Sequence, residues 1–216
     1  MPDPKLAAAK KAFQLIQAGQ TIGLGDGSTI LHLAQFIADD KQLASSLTLA
    51  TSSAKTINRL KELDLSVQSL SALNHIDIYF DGCDQFDREL NCLKSGSGIH
   101  AMEKIVASMA GEFILVGDSS KFSEKLTADF PIVIEVIPAA LGIVRVRLQA
   151  AFPQASINLR KLEQATNDRG NYLLEMKFEE LPELSHLNTF IKMLPGVVDH
   201  SLFYQMATKA ITEMTS

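Results

Sequence analysis

The stretch TIGLGDGSTILHLAQFIA (residues 21–38) decides the fold. Its first four residues are a short apolar run, the mark of a strand buried on both faces. From Ser28 to about Ala38 the apolar residues fall at helical spacing. Between the two stands GLGDGST (23–29), whose glycines let the backbone turn tightly and approach a ligand. A strand that passes through such a loop into a helix is the unit of a parallel sheet, and the helix N-terminus offers N–H groups to an anion. Ser28 and Thr29 add hydroxyl donors there. Ser28 stands where the dinucleotide fingerprint needs its third glycine, and no Lys follows Gly27 as a P-loop requires. The competing reading is an ordinary turn with Ser28 as the helix N-cap.

The same alternation continues on either side. Residues 5–18 read as a helix with Leu6, Ala9, Phe13 and Ile16 on one stripe and Gly19 as C-cap. Residues 47–50 read as a strand, followed by TSSAKT (51–56) and a helix that buries Leu60 and Leu63. Residues 65–68 and 76–80 read as strands, 103–110 as a helix and 113–117 as another buried strand. The pattern then changes to strand 131–137, helix 139–151, strands 156–163 and 171–178, helix 183–193 and strand 197–203. That order, β-α-β-β-α-β, is ferredoxin-like. Residues 209–214 read as a strand able to rejoin the first sheet. The expected architecture is α/β. A Rossmann-like parallel-sheet domain spans residues 1–128 plus 204–216, and a smaller ferredoxin-like α+β domain spans 129–203, near the C-terminus.

Composition narrows the partners. The chain has 216 residues, 46% hydrophobic and 21% charged, enough to bury a core and too apolar for disorder. Lys and Arg number 20 against 25 Asp and Glu, a net charge of −5. A nucleic-acid binder needs a basic face, so none is expected, and any anion site must be built locally. The two cysteines, Cys83 and Cys92, form no CxxC, which excludes a cysteine zinc finger and suits a reducing compartment. The N-terminus shows no signal peptide, and the longest apolar runs fall far short of the ~20 residues of a membrane helix. A cytoplasmic protein with no membrane partner is expected.

Other segments carry candidate chemistry. IDIYFDGCD (76–84) is an apolar strand running into Asp81, Gly82, Cys83 and Asp84. Open α/β sheets bind ligands at the C-terminal ends of their strands. Two carboxylates around a glycine can bind a metal, hold sugar hydroxyls or assist proton transfer; the alternative is a polar turn capped by Asp. Cys83 reads as a small filler, since no His shares its motif. In KSGSGIHAMEK (94–104), Lys94 precedes the small residues Ser95, Gly96 and Ser97 and can meet an oxyanion or a phosphate. Glu103, on the first turn of the next helix, can serve as a general base. The alternative is a solvated Lys94 and a Glu103 that complements the helix dipole. His100 reads as a surface or loop residue. GDSSK (117–121) delivers Lys121 to the same side of the sheet. No HExxH or similar cluster is present, so neither a metal nor another cofactor is expected.

Taken together these segments resemble the type A ribose-5-phosphate isomerase family over nearly the whole chain. The family's markers occur in order as GLGDGST (23–29), TSSAKT (51–56), DGCD (81–84), KSGSGIHAMEK (94–104), DSSK (118–121), IEVIP (134–138), NDRGN (167–171) and GVVDHSLF (196–203). The resemblance implies a metal-independent aldose–ketose isomerase that interconverts ribose 5-phosphate and ribulose 5-phosphate in the pentose phosphate pathway. It implies Glu103 as the base that moves a proton between C2 and C1 through an enediolate. Asp81 and Asp84 would assist ring opening and hold hydroxyls, and Lys94 would stabilise the negative oxygen. The phosphate would sit on Asp26, Gly27, Ser28 and Thr29, with Lys121 as a further contact; Gly82, Cys83, Ser95, Gly96 and Ser97 would line the sugar. The resemblance also implies a cytoplasmic homodimer or tetramer with a small sugar phosphate as its ligand.

The chain departs from the family at a few positions. Asp26 stands where the family has Thr. A carboxylate ~4 Å from a phosphate charge costs up to ~4 kcal/mol at an effective dielectric of about 20. Either its side chain points away and only its N–H is used, or phosphate binds poorly. Gln85 replaces a Glu, Ser95 and Ser97 replace glycines, and Met102 replaces an Arg. Asp81, Asp84, Lys94 and Glu103 are all retained, which favours an active enzyme over a non-catalytic or altered-specificity phosphosugar-binding paralogue.

Overall fold

The computed structural model describes residues 3–161 and 165–213. In chain order its helices are α1 (Pro4–Phe13), α2 (Ser28–Asp39), α3 (Lys41–Ser46), α4 (Ala54–Glu62), α5 (His100–Met109), α6 (Leu141–Ala151) and α7 (Leu184–Lys192). The strands are β1 (Thr21–Leu24), β2 (Thr48–Ala50), β3 (Ile76–Asp81), β4 (Gln85–Phe86), β5 (Cys92–Leu93) and β6 (Ala110–Asp118). They continue with β7 (Ile132–Val136), β8 (Ser156–Leu159), β9 (Tyr172–Lys177), β10 (Val197–His200), β11 (Leu202–Phe203) and β12 (Lys209–Glu213). The chain divides into two compact units, Met1–Cys83 with Met102–Phe122 and Gln205–Ser216, and Asp84–Ala101 with Ser123–Tyr204.

The first unit holds a parallel sheet in the order β12-β6-β3-β1-β2. Its inner strands are largely apolar because helices cover the sheet. On one face Ile22, Leu24, Ile78, Phe80, Ile114 and Val116 pack with Ile30, Leu33, Ala34 and Ile37 of α2. Parallel strands place all their C-terminal ends on one edge, which is where residues 25–29, Asp81 and residues 118–121 emerge. The expected strand at 209–214 is present as β12, which pairs with β6 through Glu213; Met214 lies outside the described residues.

The second unit contains the β-α-β-β-α-β motif as β7-α6-β8-β9-α7-β10, with antiparallel sheet order β10-β7-β9-β8. Ile132, Ile134 and Val136 of β7 bury against Val144 and Leu148 of α6 and Leu187 and Ile191 of α7. A third, three-stranded sheet, β11-β5-β4, belongs to the same unit. Its two-residue strands have no periodicity to read.

Several expectations need correction. The first helix ends at Phe13, not at residue 18, and Gly19 lies in a later turn at φ +83°. Asp3 caps its start and Pro4 opens it, as such residues do. Its buried face is Ala8, Ala9 and Ala12, while Leu6 is 42% exposed. Small side chains let α1 lie close on the rest of the core; of the expected stripe Ala9 and Ile16 are buried and Phe13 packs against the core, and only Leu6 turns outward. Residues 65–68 form no strand; Val67 makes one isolated bridge to Leu49. The expected strand 197–203 breaks at Ser201, whose N–H donates to Val133 and whose hydroxyl accepts from Val133. The chain then changes sheets from β10 to β11. The strand expected over 156–163 ends at Leu159, and residues 162–164 lie outside the described residues.

Candidate active site

In the first unit the glycine loop is tied to the end of β3. Asp81 is fully buried, and its Oδ1 accepts the N–H of Asp26 at 3.1 Å and of Gly82 at 2.7 Å. Its Oδ2 accepts the Tyr79 hydroxyl. Tyr79 lies two residues back on the same face of the strand, so alternation alone places it under Asp81. A Cβ on Gly25 would stand 2.0 Å from Asp81 Cγ, which explains the glycine directly. The Gly25 carbonyl accepts the hydroxyl of Thr56, a buried residue of α4. Ser53 caps α4 by accepting the Thr56 N–H. The TSSAKT segment thus anchors the loop from behind, and Tyr79 and Thr56 are site residues that motif reading did not select.

Asp26 turns its carboxylate onto its own loop. Oδ1 accepts the Gly27 N–H at 2.6 Å and lies 3.9 Å from Lys55 Nζ on the first turn of α4. Ser28 is not the N-cap of α2; Gly27 is, at φ +111° with no side-chain cap. Ser28 is exposed and Thr29 is buried.

Glu103 sits in the first turn of α5 and is 1% exposed. The inward face of the helix carries His100, Glu103, Lys104 and Ala107, the spacing of one helical stripe. His100 is therefore fully buried, contrary to the expectation of a surface residue. Gly23 of β1 lies against Val106, whose Cγ1 would be 3.1 Å from a Cβ placed there. Glu103 precedes Val106 by three residues, about 4.5 Å along the axis, toward the ligand edge of the sheet. A buried carboxylate at the ligand edge of a parallel sheet is a candidate functional group.

Beyond β6, Asp118 accepts both the hydroxyl and the N–H of Ser120. Burial raises its pKa, but the Ser120 bonds and the Lys121 charge outweigh burial and hold the carboxyl below its usual value. Lys121 follows in a short 3-10 turn, half-buried. Cys83 and Gly82 are half-buried, and Cys83 is a free thiol.

In the second unit Asp84 Oδ2 accepts the Ser95 N–H at 2.6 Å. Lys94 is 7% exposed, so it is not a solvated lysine; its N–H donates to Ser201, and its ammonium lies 5.8 Å from the Phe203 ring centre. Ser95 donates its hydroxyl to the Pro131 carbonyl at 2.6 Å. Gly96 has open space where a Cβ would stand. Positive φ in this loop occurs at Gly98 (+69°), not at Ser95 or Ser97, so serine is accommodated at both. Gln85 bonds Thr127 through both ends of its amide. The structure gives Met102 no evident reason beyond a half-buried place on α5. Among the described residues no group of three His, Cys, Asp or Glu side chains is arranged to hold a metal.

A parallel sheet with a glycine loop, a buried acid and a helix N-terminus at one edge defines a ligand-binding α/β protein. The model of the ribose 5-phosphate isomerase A (phosphoriboisomerase A) family matches residues 48–216, and a second model, the DeoR C terminal sensor domain, matches residues 2–72. Ribose-5-phosphate isomerase A of Thermosynechococcus vestitus is 34% identical over 208 residues, 94% of this chain and 88% of its own. The ribose-5-phosphate isomerase of Homo sapiens is 35% identical over 211 residues, 95% of this chain and 68% of its own. A solved D-ribose-5-phosphate isomerase in complex with phospho-erythronic acid superposes with TM-score 0.89 at 28% identity, covering 98% of this chain and 94% of that one. The ribose 5-phosphate isomerase A of Methanocaldococcus jannaschii gives 0.84 at 30% identity, covering 97% and 94%. The chain belongs to the ribose 5-phosphate isomerase A family.

Proposed function

We propose that the protein interconverts D-ribose 5-phosphate and D-ribulose 5-phosphate through an enediolate, without a metal or other cofactor. One observation carries this reading: family membership over nearly the full chain. The resemblance of the motifs assigns the roles to Asp81, Asp84, Lys94 and Glu103. Glu103 takes the proton from C2 of the open-chain aldose and returns it to C1. The proton alpha to a carbonyl is weakly acidic, so the negative oxygen formed when it leaves needs a nearby cation, and Lys94 supplies it. Asp84, with Oδ2 held by the Ser95 N–H, directs Oδ1 to the sugar for ring opening. Asp81 acts through the loop that its carboxylate holds. The phosphate rests on residues 26–29 with Lys121 nearby, and its binding energy orients C1 and C2 for the transfer. Gly82, Cys83, Ser95, Gly96 and Ser97 line the sugar. The same reading makes the protein a cytoplasmic homodimer in the non-oxidative branch of the pentose phosphate pathway.

The test is direct. Metal-stripped protein is expected to convert ribose 5-phosphate in the presence of a chelator and to exchange the C2 proton with deuterated water. Bound substrate with neither turnover nor exchange rejects the enzyme reading in favour of a phosphosugar-binding protein. A second test concerns Asp26, whose carboxylate occupies the Gly27 N–H that a phosphate oxygen needs. Asp26→Thr is expected to lower KM about tenfold at unchanged kcat, the worth of one charge-assisted hydrogen bond. An unchanged KM would mean that the phosphate does not use this amide.

A further inference from the structure

The loop from Lys94 to Gly98 is held from one side by the α+β unit. Arg160, 9% exposed, follows β8 and continues its ladder by donating its N–H to the Leu173 carbonyl. Its guanidinium donates from Nε to Glu175 Oε1 at 2.9 Å, from Nη1 to the Gly96 carbonyl at 3.3 Å and from Nη2 to the Ser95 carbonyl. Asn167 donates from Nδ2 to the Gly98 carbonyl at 3.2 Å and to Glu135 Oε1 at 2.6 Å. Glu135 is 1% exposed and also accepts from Asn171 at 2.8 Å. Three loop carbonyls, of Ser95, Gly96 and Gly98, therefore face Arg160 and Asn167, which Glu175 and the buried Glu135 hold in turn. In a planar trans peptide the C=O and the following N–H point in opposite directions. The N–H groups of Gly96, Ser97 and Ile99 are thus turned to the other side of the loop.

We propose that Arg160 is a positioning residue for the reaction. By holding the Ser95 and Gly96 carbonyls, it aims the N–H groups of Gly96 and Ser97 at the oxygen that becomes negative as the C2 proton leaves. This rests on the isomerase reading above. Donors help such an oxygen only if they are already oriented when charge develops. The planar five-donor fork of Arg can hold two carbonyls and a carboxylate at once, and a Lys ammonium cannot reproduce that geometry. Glu175 fixes the plane of the fork. Ser95 adds to the rigidity, because its N–H, carbonyl and hydroxyl are all engaged.

The experiment compares Arg160→Met and Arg160→Lys with the native protein. It measures steady-state kinetics and calorimetric binding of two probes, inorganic phosphate and phospho-erythronic acid. The second probe carries a planar carboxylate whose charge resembles that of the enediolate. Arg160→Met is expected to lower kcat and weaken phospho-erythronic acid about 100-fold each, the scale of losing oriented oxyanion donors. Inorganic phosphate should bind within about two-fold of native, since its loop lies in the first unit. Equal loss for both probes, or no loss for phospho-erythronic acid, overturns the proposal. If Arg160→Met does not fold, Arg160→Lys decides: kcat falls about tenfold at constant KM, or the proposal fails. A native protein that binds both probes without turnover removes the isomerase reading, and the ratio of the two affinities in the Arg160 variants still decides the positioning role.

Discussion

Glu103→Gln is expected to lower kcat by about 10³-fold while substrate binds within a few-fold of native, within the range for loss of a positioned general base. The substitution keeps the shape of the side chain and removes only its basicity. Glu103 is 1% exposed on the inward stripe of α5, and the isosteric amide fills the same space. The variant should therefore stay folded, so that lost activity reports on the missing base. Two measurements check this: C2–H exchange with deuterated water by NMR, and a denaturant titration. Exchange retained at the native rate would place the base elsewhere. Lost activity with a large drop in stability would reduce Glu103 to a structural acid.

Gly25→Ala is expected to destabilise the first unit by about 2–4 kcal/mol, because overpacking adds to the loss of buried hydrogen bonds. The new Cβ would meet Asp81 Cγ and Oδ1, both at 2.0 Å. Relief requires Asp81 to leave the N–H groups of Asp26 and Gly82 or the Tyr79 hydroxyl. The glycine loop would then lose its support, so phosphate affinity should fall together with stability. Gly142→Ala, in α6 with open space around its Cβ, is the control and should gain about 0.5–1 kcal/mol. Urea unfolding of the two variants beside native reads both effects. A neutral Gly25→Ala would mean that Asp81 does not hold the loop.

The α/β reading followed from strands such as β1 and β6, whose apolar runs at residues 22–24 and 113–116 have one interpretation beside glycine loops. The ferredoxin-like half was legible for the same reason: β7, α6, β9 and α7 are each long enough to show a period. What escaped had too little local signal. β4, β5 and β11 are two residues each, and Leu65 and Val67 look like a strand but contribute only one bridge. The first helix misled at Leu6, because alanine supplies most of its buried face and carries less hydrophobic weight than that exposed leucine. Of the candidate site, the acids and lysines stand out in the sequence by type and position. Their partners did not: Thr56 and Arg160 act through contacts with residues far apart in sequence, Tyr79 looked like one more apolar strand residue although it stands two residues from Asp81, and His100 looked polar enough to be outside.

The place of β12 has a consequence for the order of events during synthesis. β6 ends at Asp118, and the strand that covers its outer edge begins at Lys209, after most of the second unit has been made. At ~5–20 residues per second, that edge stays open on the ribosome for roughly 5–20 s. An uncovered parallel strand with a buried Phe113–Val116 run is a template for pairing with another chain. The interval before β12 arrives is therefore when this protein is most exposed to misassembly, and slowing the translation of residues 119–208 should lower its soluble yield.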